Sequence, residues 1–135
     1  MEMLEALALL VILLSGVFLT ALGAASIVVP QRAVPFLESF AGSAFAHYLE
    51  LCIRIVVGAS FVVFARRMPL GTVFAVYGWM IVGTTICLFV VPWRWHRRFA
   101  QMSVPYIVRR IKLFGAVSFA AGALVLTAAI VAVFR

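Results

Sequence analysis

The chain has 135 residues, 67% of them hydrophobic and 11% charged, with a formal net charge of +7. A soluble domain carries about 25% charged residues, so this composition excludes a water-covered globule and calls for lipid as solvent. A nucleic-acid site needs an aqueous basic face. No soluble stretch is long enough to hold one, and the basic excess fits positive-inside topology instead.

Catalytic chemistry is narrowed just as far. The chain contains no Asp and no Asn, which removes N-glycosylation, EF-hand loops and Asp dyads. It shows no Ser-His-acid set, phosphate loop or metal-spaced cluster. It therefore reads as a non-enzyme with no cofactor and no metal. Cys52 and Cys87 lack CxxC spacing and fall within apolar runs. They read as small buried apolar residues.

The first apolar run covers about 4–29 and is closed by Pro30. Roughly 20 apolar residues cross a bilayer. "LGAAS" has the composition of a signal cleavage site, but the leading Met1-Glu2-Met3-Leu4-Glu5 is acidic where a signal peptide is basic. The run is read as a retained span. The loop after it, "SIVVPQRAVPF", carries Arg32, and about 31–43 is expected to lie along the membrane interface.

The second run covers about 45–65 and contains "HYLELCIR". His47, Glu50 and Arg54 are spaced i, i+3, i+7 and share one helix face. Glu50 precedes Arg54 by four residues, the better order for a helical ion pair. Counted back from Arg66, Arg54 lies roughly 18 Å from the outer boundary at 1.5 Å per residue. Two readings stand for this intramembrane polar cluster: a structural ion pair, and a functional site. "RRMP" then links to the third run so tightly that the two helices must form an antiparallel hairpin.

The third run covers about 70–91 without a charge and ends in "LFVVPWRWHRRFA". On a helix, Trp95, Phe99 and Met102 share one face while Arg94, Arg97, Arg98 and Gln101 share the other. An apolar-aromatic face opposite an arginine face marks a helix lying in the membrane interface. Trp93 and Trp95 suit the headgroup level and the arginines suit lipid phosphate. This segment is expected over about 93–103, broken by Ser103, Val104 and Pro105. Arg109, Arg110 and Lys112 then lead into a fourth run over about 113–134. Cations at a helix start oppose its dipole. Lipid phosphate, Glu38 or Glu50 is the expected counter-charge. His47 and His96 both fall on the cytoplasmic side, but His96 sits among arginines in an interfacial helix, not facing His47 within a bundle. A haem between them is therefore not expected.

The fold class that follows is an all-α integral membrane protein, a bundle of four transmembrane helices in a single domain. "VVPQR" and "VVPWR" echo each other, as do "RIVVGASF" and "RIKLFGAVSF". The chain thus reads as two tandem copies of helix, interfacial segment, helix. Lys and Arg concentrate in the first and third loops, leaving Arg66, Arg67 and Arg135 opposite. Basic loops stay cytoplasmic, so both termini are expected outside the cytoplasm of a cell (inner) membrane. Small-residue stripes, Gly16-Thr20-Ala24, Gly71-Ala75-Gly78 and Gly115-Ser118-Gly122, offer close packing faces.

In length and span count the chain resembles the small multidrug resistance exporters, which carry a Glu within the first helix. Here that helix has no charge past Glu5. Fluoride channels of similar size use a membrane Asn, which this chain lacks. Two functions are carried forward. The first is an accessory or scaffold subunit binding anionic phospholipid and another integral membrane protein or a further copy of itself. The second is a small oligomeric transporter or channel using Glu50 and Arg54.

Overall fold

The computed structural model describes residues 1–39 and 42–134, and is helical almost throughout. In chain order the helices are α1 (Met3–Val28), α2 (Pro30–Ser39), α3 (Ala44–Phe64), α4 (Gly71–Val90), α5 (Trp93–Arg109) and α6 (Ile111–Phe134). A short 3-10 turn, Ala65–Arg67, follows α3. Four helices are long and apolar enough to cross a membrane: α1, α3 with its 3-10 turn, α4 and α6. The fold is the expected all-α bundle of four apolar helices.

Local signals explain most boundaries. Glu2 and Glu5 form a reciprocal capping box at the start of α1. Ser43 caps α3, its hydroxyl accepting from the Ala46 N–H at 3.1 Å. Pro30 opens α2 and Pro92 precedes α5, positions where a missing N–H costs nothing. Leu70 sits in the left-handed region at φ 58° before α4. The Ala65–Leu70 corner is tight enough that a Cβ at Gly71 would meet the Ala65 carbonyl oxygen.

The spans pack in the order α4, α3, α1, α6, with α1 closest to α6 and α3 closest to α4. Two kinds of contact hold them. At the end near the α3–α4 turn lies an apolar core: Leu9 and Ile12 of α1, Phe61 and Phe64 of α3, Phe74 of α4, and Val125 and Ala129 of α6. Phe61 stacks on Phe74 with ring centroids 5.8 Å apart. Elsewhere glycines let backbones meet. A Cβ at Gly23 would fall 2.6 Å from the Gly115 carbonyl oxygen, and one at Gly78 2.6 Å from that of Gly58. In lipid, where no hydrophobic force presses helices together, such close backbone approach supplies the packing.

Three local expectations are corrected. The interfacial segment does not break at Ser103–Pro105. α5 continues through Pro105 to Arg109, and the chain turns at Arg110, where φ is −120° and ψ is 31°. Proline removes one hydrogen bond of a helix without forbidding it. Arg109 therefore closes α5 instead of opening the fourth span. Its charge favours the helix end it occupies, because cations stabilise C-termini. Finally, Cys52 and Cys87 are exposed on the bundle surface, not buried, since an apolar position on a lipid-facing span need not face protein.

Candidate functional site

The end of the bundle carrying α2 and α5 is its polar end. α3 aligns His47, Glu50 and Arg54 along one face, as their spacing requires. Arg54 Nε donates to Thr85 Oγ1 of α4 at 3.1 Å, and its Nη2 donates to Thr84 Oγ1 at 3.3 Å. The ion pair with Glu50 is looser, at 3.7 Å, with 37% of the Arg54 side chain and 29% of the Glu50 side chain exposed. Sequence reasoning found the pair but missed both threonines. Their signal was present: in an antiparallel hairpin closed by "RRMP", the polar pair at 84–85 returns alongside the α3 segment that holds Arg54.

The threonines also revise the depth of the charge. Thr85 is five residues before the end of α4 at Val90. The Arg54 head group thus lies roughly 8 Å inside that end of the helix, at 1.5 Å per residue. Its side chain leans from a mid-span Cα toward the α5 end, as a snorkelling arginine does.

His47 is 2% exposed. Its ring lies 4.4 Å from that of His96, centroid to centroid, tilted by 39°. The expectation that these histidines stay apart is therefore corrected. The loop Val91-Pro92 is short enough to fold α5 back over the start of α3. At that spacing no macrocycle fits between the rings. Among the described residues, no group of three or more His, Cys, Asp or Glu side chains could hold a metal ion.

α5 has three faces. Trp93, His96, Ala100, Ser103 and Ile107 are half-buried and turn toward the bundle. Trp95, Phe99, Met102 and Tyr106 are 74%, 66%, 73% and 61% exposed. Arg94, Arg97, Arg98 and Gln101 are also exposed, on the third side. Two cations lie over rings: the Arg97 guanidinium 5.6 Å from the Trp93 centroid and that of Arg110 5.1 Å from Tyr106. Glu38 of α2 shares a recess of about 330 Å³ with Arg97 and Gln101. Arg32 is exposed on α2, and Lys112 is exposed in the first turn of α6. Among the described residues, no ion pair joins Arg109, Arg110 or Lys112 to Glu38 or Glu50; the pairs present are Glu50–Arg54 and Glu5–Arg67.

No protein-family model, curated protein or solved structure matches this chain.

Proposed function

We propose that the protein is a non-enzymatic accessory or scaffold subunit of a cell membrane. In this reading α5 holds anionic phospholipid at the cytoplasmic surface, and the spans carry another integral membrane protein. The observation that carries it is the outward aromatic face of α5. Trp95, Phe99 and Met102 share one side of a helix with no buried residue. An amphipathic helix that does not spend its apolar side on protein spends it on lipid. The exposed Arg94, Arg97 and Arg98 then meet headgroups, each contributing about 1 kcal/mol at an anionic leaflet. Arg109, Arg110 and Lys112, which form no ion pair among the described residues, add to the same surface.

The orientation in this reading places α2 and α5 in the cytoplasm and both termini outside. An internal duplication accompanies it. Gly16 and Gly78 each stand twelve residues before the first valine of "VVP", at Val28 and Val90. Each lies at a helix crossing, Gly16 with Gly122 and Gly78 with Gly58.

A second reading, a small oligomeric transporter or channel, is favoured by one observation: the Glu50–Arg54 pair keeps an exposed side within the spans. Native mass spectrometry tests the first reading. The parent should retain anionic lipid, and the combined Arg94→Gln, Arg97→Gln, Arg98→Gln variant should lose most of it. Equal retention would sink the lipid assignment. A stoichiometric membrane protein co-purifying from native membrane would support the accessory role. Flux into proteoliposomes holding only this protein, abolished by Arg54→Gln, would favour the transporter instead.

A further inference from the structure

His47 presents a physical problem. It is buried, and neither ring nitrogen has a hydrogen-bond partner among the described residues. A buried polar group in that state costs stability, so the pocket is built for something other than tight packing alone. Its chief neighbour, His96, comes from α5, which is otherwise applied to the spans through half-buried small and apolar side chains. The contact therefore joins a membrane span to a separate surface helix.

The ionisable groups around the pair decide what it can bind. From α3 come Tyr48, whose ring centroid is 5.2 Å from that of His47, then Glu50 and Arg54. From α5 come Arg94, Arg97 and Arg98 on either side of His96. α2 offers Glu38, in the recess it shares with Arg97. α6 opens with Lys112. α4 contributes the ring of Phe89, stacked on Tyr48. The carboxylate on the His47 face of α3 is Glu50, and it is already engaged with Arg54. Among the described residues, no third His, Cys, Asp or Glu joins the two rings to hold a metal ion. Two neutral imidazoles pack without charge repulsion. A proton on His47 places a charge in a buried site whose ring nitrogens meet no acceptor among the described residues, and protons on both rings place like charges 4.4 Å apart.

We infer that the His47–His96 contact is a proton-sensing site whose protonation releases α5 from the spans. Released, His47 reaches water, and the contact that sets the two rings 4.4 Å apart is gone. Docking is therefore strongest at neutral and alkaline pH and weakens as pH falls through the histidine range, around 6.5 for a free imidazole. Release would free α5 to re-seat its arginine and aromatic faces on lipid. The site does not depend on the identity of any lipid or partner.

The test is a distance measurement in nanodiscs of zwitterionic lipid. With Cys52→Ser and Cys87→Ser, spin labels are placed on Met102→Cys in α5 and Val73→Cys near the far end of α4. At about pH 8 the labels should give one narrow distance. At about pH 5, where a free imidazole is mostly protonated, that peak should lose roughly half its amplitude or more to a broad distribution. His96→Phe keeps a ring and removes the proton site on a half-buried residue, so it should fold and stay narrow at both pH values. His47→Phe should do the same. A parent that ignores pH would overturn the inference, as would phenylalanine variants that respond like the parent. A peak that narrows only on adding zinc, and only with both histidines present, would make this a metal site and overturn it equally.

Discussion

Arg54 Nε and Thr85 Oγ1 meet at 3.1 Å across the α3–α4 hairpin, and this bond is tighter than the 3.7 Å pairing of Arg54 with Glu50. Thr85 is fully buried, and its hydroxyl donates to the Ile81 carbonyl at 2.6 Å. With its proton given to Ile81, the Thr85 oxygen can only accept from the guanidinium. The cationic side chain is held mainly by neutral acceptors on the neighbouring span.

Thr85→Val should therefore cost more stability than Glu50→Gln. Removing an acceptor from a charged donor costs about 1.5–3 kcal/mol. A loose, part-exposed ion pair contributes under about 1 kcal/mol. Thermal unfolding in detergent of both variants is the check. A larger loss for Glu50→Gln would restore the ion pair as the principal contact.

The glycine crossing between α1 and α6 should tolerate no side chain. A Cβ at Gly23 would lie 2.6 Å from the Gly115 carbonyl oxygen and 2.8 Å from the Phe119 Cα, both backbone atoms that cannot swing away. Gly23→Ala should destabilise the bundle by about 1–3 kcal/mol, as overpacking does. Gly83 is the control, because a Cβ there meets nothing within 4 Å. Gly83→Ala should leave stability unchanged or slightly raised.

Glu5 and Arg67 pair at 2.7 Å although they are 62 residues apart in sequence. The start of α1 and the α3–α4 turn therefore share one end of the bundle. With Cys52→Ser and Cys87→Ser, Glu5→Cys and Arg67→Cys should cross-link readily, while Glu5→Cys and Arg94→Cys should not. The reverse pattern would contradict the packing of α1 on α3. The pair itself is exposed, so Glu5→Gln should lower the melting temperature only slightly, and less so in high salt.

The orientation has its own check. Reporter fusions after Arg135 should be active only in a periplasm-type assay, and fusions after Gln101 only in a cytoplasmic one. A cytoplasmic reporter at Arg135 would invert the positive-inside assignment and move α5 to the opposite leaflet.

Hydropathy and helical period are local properties, so the sequence by itself determined the four spans, the hairpin at "RRMP" and the faces of α5. Trp95, Phe99 and Met102 share an outward side because residues spaced i, i+4, i+7 must share a side of any helix. It also determined that Glu50 and Arg54 can pair, since both lie on one helix. The tertiary structure alone decided which span lies beside which. Lipid is as apolar as the spans, so hydrophobicity cannot choose partners, and several small-residue stripes were equally able to pair. Only the packed structure set Gly23 against Gly115, Glu5 against Arg67, and Thr85 under the guanidinium of Arg54. The meeting of His47 and His96 was least legible of all. It depends on the angle at which α5 leaves Pro92 and folds over α3, which no local pattern encodes.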